Sequence, residues 1–205
     1  MKKTVEMLKI AQEIGKLSPP MGGVFSSSDL ASIIGGGSDL RNARALSRLV
    51  REGILLRVRR GLYATPGFDP WVLVSRLAPK SYITMESALA KRGLIGTLPS
   101  GLVAAAGPGR PRTFEAADVR IALHSISKKL IFGIEQLPSG VGVAVPEKAY
   151  LDLLYFYQKG ARSPIDPLRE VRIEALDRSR LLAYLTRYRN PKFVAFVKGI
   201  LNEGS

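Results

Sequence analysis

The chain has 205 residues, with 31 Lys+Arg against 17 Asp+Glu, a formal charge of +14 and a pI near 10.3. Such a balance favours polyanionic partners through counterion release, while the absence of cysteine excludes disulfides and thiolate metal sites and suits a cytoplasmic location. With 46% hydrophobic residues the chain can bury more than one small core, yet no run approaches the ~20 apolar residues of a membrane span, so no membrane partner is expected.

The Met1-Lys2-Lys3 start resembles the basic opening of a signal peptide, but Glu6, Lys9, Gln12, Glu13 and Lys16 interrupt the apolar stretch that should follow. The segment predicts instead a first helix with Met7, Ile10, Ile14 and Leu17 on one side. Ser26 to Ser28 offer N-caps for a short helix over Asp29–Ile34, Gly35-Gly36-Gly37 reads as a turn, and Ser38 or Asp39 caps the next helix. From Asp39 to Gly53, Leu40, Ala43, Leu46, Leu49 and Val50 are expected to form a buried stripe. Arg41, Arg44, Arg48 and Arg51 form a second stripe roughly opposite, aimed outward.

After Gly53, ILLRVRR and GLYAT predict two strands joined at Arg59-Arg60-Gly61, a hairpin that carries Arg57, Arg59 and Arg60. A short helix, a glycine turn, a basic helix and a hairpin follow the order of a winged helix-turn-helix, expected over residues 1–68. Between Arg41 and Arg60 seven arginines face the single Glu52, so this window carries a net +6 of the +14. A basic helix face alone is most simply a solvated surface. The glycine turn before it and the arginine hairpin after it favour DNA, with Arg44 and Arg48 at base edges and the wing arginines on phosphate. Asn42 either reads adenine or caps the helix.

A second unit is expected over residues 69–205. Asp69-Pro70 precedes the amphipathic WVLVSRLA, and SYITMESALAKRGLI predicts a short helix with Thr84 as N-cap, Ala88, Leu89 and Leu94 inward, and Gly93 as its stop. LVAAA, VRIALHSI, KLIFGIEQL and VGVAV read as strands of a small sheet. PEKAYLDLLYFYQKG predicts a helix opened by Pro146, with Ala149, Leu153, Leu154 and Tyr157 inward. Two more helical patterns span about 168–175 and 178–201. The fold class is therefore α+β, a winged helix-turn-helix followed by a mixed α+β unit with a small sheet and helices.

No enzymatic site is expected. Glu86, Glu115, Asp118, Glu135, Glu147 and Asp152 invite a metal-dependent nuclease reading, but helix-terminal acids and solvated faces account for Glu147 and Asp152. His124, the single histidine, sits in an apolar strand pattern and reads as a satisfied sheet residue. Gly107 to Pro111 lacks the ending of a P-loop and reads as a turn. Tyr150, Tyr155, Phe156 and Tyr157 interleave with leucines and are expected to pack a core rather than stack bases. Phe193, Phe196, Val197, Ile200 and Leu201 are expected to be buried. No cofactor or metal is expected.

The order of segments VFSSSDLA, LSRLVREGILLRVRRGLYATP, APKSYITMESALAKRGLI and AVPEKAYLDLLYF resembles the AbiEi antitoxin family, the antitoxin half of type IV abortive-infection toxin–antitoxin pairs. The resemblance implies an N-terminal winged helix-turn-helix that represses its own operon and a C-terminal domain that neutralises a cognate nucleotidyltransferase-like toxin, with or without a stable complex. Carried over by position, Arg41, Asn42, Arg44, Arg48 and Arg51 would read double-stranded operator DNA, with the wing at Arg57, Arg59 and Arg60. Ser47, on the same helix, completes the expected DNA-binding set. The competing expectation is a stand-alone, ligand-responsive winged-helix regulator whose second domain holds a pocket for a small effector.

Overall fold

A computed structural model describes residues 2–36 and 38–203; Met1 of the signal-like start and Gly37 of the glycine turn lie outside the described residues. The chain opens with α1 (Lys2–Leu17), β1 (Val24–Ser26), α2 (Ser27–Ile34), α3 (Asp39–Arg51), β2 (Leu56–Arg59) and β3 (Leu62–Ala64). β3 is the middle strand of a three-stranded antiparallel sheet, flanked by β1 and β2, with Tyr63 opposite both Phe25 and Arg57. Side chains alternate across a strand, and this small sheet buries both of its faces. Phe25 and Tyr63, with Leu55 beside them, meet Ile10 and Ile14 of α1, Leu30 and Ile34 of α2, and Leu46 and Leu49 of α3 in one core. Val24, Leu62 and Ala64 join a second, larger core. Leu17, expected on the inner side of α1, is instead 39% exposed. The core ends at Ile14, one turn before the helix does.

Asp69 caps α4 (Pro70–Leu77), its carboxylate accepting from the Trp71 and Val72 amides at 2.8 and 3.4 Å, and Pro70 occupies the first turn where no amide is needed. There follow β4 (Tyr82–Ile83), α5 (Met85–Lys91), β5 (Leu102–Gly107), β6 (Arg112–Ala116), β7 (Val119–Ser125), β8 (Ile134–Gln136), β9 (Gly142–Ala144), α6 (Pro146–Gln158), α7 (Arg178–Leu185) and α8 (Pro191–Glu203). The second sheet runs β6-β7-β5-β4-β9-β8; the β5–β7 and β4–β9 pairs are parallel and the others antiparallel. α5 and α6 pack on each other and on this sheet, and α7 and α8 pack on α6. Two sheets and eight α-helices among the described residues make the fold α+β, with a helix-turn-helix region at its N-terminal end.

Several elements differ from the sequence expectation. β6 lacked a hydrophobic signal because it is an edge strand that leaves Arg112, Thr113 and Glu115 exposed. KLIFGIEQL splits into a 3-10 turn, Lys128–Leu130, and β8. The 168–175 segment is helical only in the single 3-10 turn Ile173–Ala175. The 178–201 pattern is two helices, broken where Asn190 caps α8, its side-chain oxygen accepting from the Lys192 and Phe193 amides, and where Pro191 has no amide to continue α7. Tyr157 is exposed, while Tyr150, Phe156, Phe193, Val197 and Leu201 are buried and Tyr155, Phe196 and Ile200 half-buried. Among the described residues no helix is long and apolar enough to cross a membrane.

Candidate nucleic-acid interface

Local chemistry fixes the helix-turn-helix. Ser26 and Asp29 form a reciprocal capping box on α2, the Asp29 amide donating to Ser26 Oγ at 3.1 Å and the Ser26 amide to Asp29 Oδ2 at 2.8 Å. Gly35 ends α2 in the left-handed region at φ 90°, and the Ser38 hydroxyl then accepts from the Arg41 amide at 3.4 Å to start α3. Ser38 is thus the cap, and Asn42 is not. At the hairpin tip Gly61 has φ 80°, and its carbonyl accepts from the Ser27 amide at 3.0 Å, tying the wing to the start of α2.

The orientation of α3 corrects the expected stripe. Leu46 and Leu49 are buried and Val50 is half-buried, but Leu40 is 61% exposed and Ala43 is exposed. Residues four and seven apart share a helix face, so Leu40 lies with Arg44, Ser47 and Arg51 on a face turned away from Leu46 and Leu49. The inner face is instead Asn42, Ala45, Leu46 and Leu49. Asn42 is half-buried with its Oδ1 inward and no hydrogen-bond partner among the described residues.

Arg44, Ser47 and Arg51 form the outward row, and Arg41 and Arg48 flank it beside α1. Arg41 Nη2 meets Glu6 Oε1 at 3.0 Å. Arg48 Nε is buried, without a hydrogen-bond partner among the described residues, and lies 3.9 Å from Glu52 Oε1. Arg51 Nη2 lies 3.9 Å from the same oxygen. Partly exposed pairs of this kind contribute only about 0.2–1 kcal/mol, so phosphate can displace the carboxylates. Arg44 forms no ion pair among the described residues. On the wing, Arg57, Arg59 and Arg60 are all exposed, and Arg59 Nη2 donates to the Arg76 carbonyl of α4 at 3.4 Å. A cleft of about 360 Å³ between α1 and α3 is lined by Met7, Ile10 and Leu40 together with Arg41, Arg44 and Arg48. Glu6 was absent from the expected set, since nothing local links it to an arginine 35 residues away.

The carboxylates of the second half have other tasks. Glu147, expected as a helix-terminal acid, stands in the first turn of α6 but is only 4% exposed, and Asp152, expected on a solvated face, is 0% exposed. Glu147 accepts from the Asp177 amide at 3.1 Å and lies 3.5 Å from Arg180 Nη1, fixing the start of α7. Asp152 accepts from the Tyr82 hydroxyl at 2.9 Å, the Thr84 hydroxyl at 2.8 Å, the Tyr188 hydroxyl at 3.4 Å and Lys148 Nζ. Thr84, expected to cap α5, makes no cap bond because its hydroxyl serves Asp152. Lys148 Nζ also lies 4.8 Å from the Phe132 ring centre, a cation–π contact. Burial pulls the Lys148 ammonium below its ordinary range, opposed by Asp152, and pushes the Tyr82 and Tyr188 hydroxyls up. Glu135 pairs with Arg92. His124 is half-buried, its ring 4.7 Å from Phe156, and burial holds its pKa below the usual value.

Residues 22–66 match the family described as transcriptional regulator, AbiEi antitoxin. Among solved structures, the chain is similar to the RV2827C protein from Mycobacterium tuberculosis, at a TM-score of 0.58 and 18% identity over 88% of this chain and 71% of that one. An identity this low speaks for the fold alone. No curated protein matches the chain. The matched stretch takes in β1, α2, α3, β2 and β3, and with them all nine expected DNA-binding side chains. The helix-turn-helix and wing of this chain, residues 22–66, therefore carry the signature of the AbiEi antitoxin family of transcriptional regulators.

Proposed function

We propose that the chain is a sequence-specific DNA-binding repressor that acts as the antitoxin of a type IV toxin–antitoxin pair. In this reading residues 1–68 bind the operator of its own operon, and residues 69–205 counteract a nucleotidyltransferase-like toxin without catalysis of their own. The observation that carries the DNA-binding half is the outward row Arg44, Ser47 and Arg51 beside the exposed wing arginines, in a segment matched to a regulator family. α3 enters the major groove with Arg44 and Ser47 toward base edges, and Arg41, Arg48 and Arg51 approach the backbone on either side. Arg57 and Arg60 grip phosphate, joined by Arg59 once it leaves the Arg76 carbonyl.

Arg44→Ala is expected to cost about 1–3 kcal/mol on the specific site and to relax base preference there. Arg57→Ala and Arg60→Ala should weaken binding to all sequences alike and lower the salt slope by about 0.9 per lost phosphate contact. Mobility shifts on the upstream promoter test both effects, and binding unchanged by all three substitutions would sink the assignment. A second reading, a ligand-responsive regulator, draws on the α1–α3 cleft, where an apolar effector would contact Arg41, Arg44 and Arg48 directly. A neighbouring nucleotidyltransferase-like gene whose toxicity is relieved by co-expression favours the antitoxin.

A further inference from the structure

A second basic concavity, of about 230 Å³, lies away from the winged helix between the 3-10 turn Lys128–Leu130 and the connection from α7 to α8. Lys129, Arg187 and Arg189 stand around it with Ser127, and the rings of Tyr155 and Tyr188 line its depth. All three cations are exposed. None forms an ion pair among the described residues, although Arg92, Arg169 and Arg180 on the same half do.

Arg187 is held ready, its guanidinium carbon 4.6 Å from the Phe132 ring centre. This cation–π contact restrains the side chain, and a guanidinium so held can still offer its N–H groups for a two-pronged anion contact. Among the described residues that line the cavity there is no carboxylate. Lys128 adjoins Lys129 in sequence, and Lys159 lies over Tyr155 at 4.2 Å. Asp152, hydrogen-bonded beneath the Tyr188 hydroxyl, is paired with Lys148.

A concave site with three unpaired cations, one of them a preset guanidinium fork, suits a compact multivalent anion better than a broad acidic protein surface. We infer that this pocket is a phosphoryl-binding site, which takes either a free phosphorylated small molecule or a backbone phosphate of a nucleic acid. The inference requires nothing of α3 and goes beyond the proposed operator reading.

Calorimetric titration of the full chain with inorganic pyrophosphate tests it. The full chain should bind pyrophosphate. The triple variant Lys129→Gln, Arg187→Gln, Arg189→Gln should lose about tenfold or more in affinity, the equivalent of about 1.4 kcal/mol. Arg44→Ala should bind pyrophosphate as the parent does, which separates this site from the recognition helix.

Operator mobility shifts then distinguish the two sources. If the pocket holds a backbone phosphate, the triple variant lowers the salt slope of DNA binding by about 0.9. If it holds a free small molecule, the slope is unchanged while pyrophosphate binding is lost. Either result supports the site. Absence of pyrophosphate binding, equal binding by the triple variant, or tighter binding of polyglutamate than of pyrophosphate would overturn it. If the triple variant melts early, Arg189→Gln alone, read with the shift of the Lys129 amide resonance on adding pyrophosphate, decides the question.

Discussion

Glu86 is a buried carboxyl on α5 whose Oε2 has no hydrogen-bond partner among the described residues. Burial pushes its pKa above the ordinary glutamate value, with its own backbone amide opposing. For an acid raised on folding, the unfolded chain releases its proton first as pH climbs. Stability is therefore full below the unfolded pKa of 4.5 and is lost as pH rises through the folded value. Glu86→Gln keeps the shape and removes the charge. It is expected to raise Tm near pH ~8 and to have little effect near pH ~4, as followed by calorimetry; an equal effect at both values would reject this account. The sequence marked Glu86 only as one carboxylate among six. A lone acid in an amphipathic helix looks the same whether its face meets water or a sheet. Leu40 makes the same point from the other side, an apolar residue that the helix phase of α3 turns out to solvent.

α6 was legible as a helix from its Pro146 start and its leucines, but not as one covered on nearly every side. Lys148 and Asp152 are four residues apart, a spacing typical of a solvated ion pair. Here the pair is fully buried, and Asp152 joins β4, α6 and the turn after α7 through Tyr82, Thr84 and Tyr188. Removing one partner of a buried pair strands the other charge. Asp152→Asn is expected to cost about 3–5 kcal/mol in urea unfolding. The double substitution Lys148→Met with Asp152→Asn should cost less than Asp152→Asn alone, because no uncompensated charge is left while the amide oxygen still accepts from the surrounding hydroxyls; the reverse order would contradict the argument. α3 was more legible than α6. Its Ser38 cap and its length follow from the sequence, and the error in its inner stripe came from grouping Leu40 away from Arg44 although they lie one turn apart.

Across the whole molecule, the wing's small sheet is where the two cores meet. Phe25 and Tyr63 face the core built on α1, α2 and α3, whereas Val24, Leu62, Ala64 and Phe68 belong to the larger core of the second half. Separating the chain at Asp69 would strip four buried apolar side chains from that larger core. A fragment of residues 69–205 is thus expected to melt below the intact chain, and a fragment of residues 24–205, which retains those four side chains, to recover much of the loss. Circular dichroism melts check this, and a 69–205 fragment as stable as the intact chain would refute it. By itself the sequence determined what depends on a few neighbouring residues: serine caps ahead of α2 and α3, the glycine tip of the wing, the three helices and the two hairpin strands of the first 68 residues, though not the short β1 or the Asp69 cap, and the density of arginine there. Side-chain to backbone hydrogen bonds and left-handed glycines act over one turn of chain, so short patterns encode them. Only the tertiary structure decided that Asp152 is interior, that Arg41 meets Glu6 and that Lys129 shares a pocket with Arg187. Such contacts join residues tens of positions apart, 70 in the case of Tyr82 and Asp152, and arise from how whole elements cover one another.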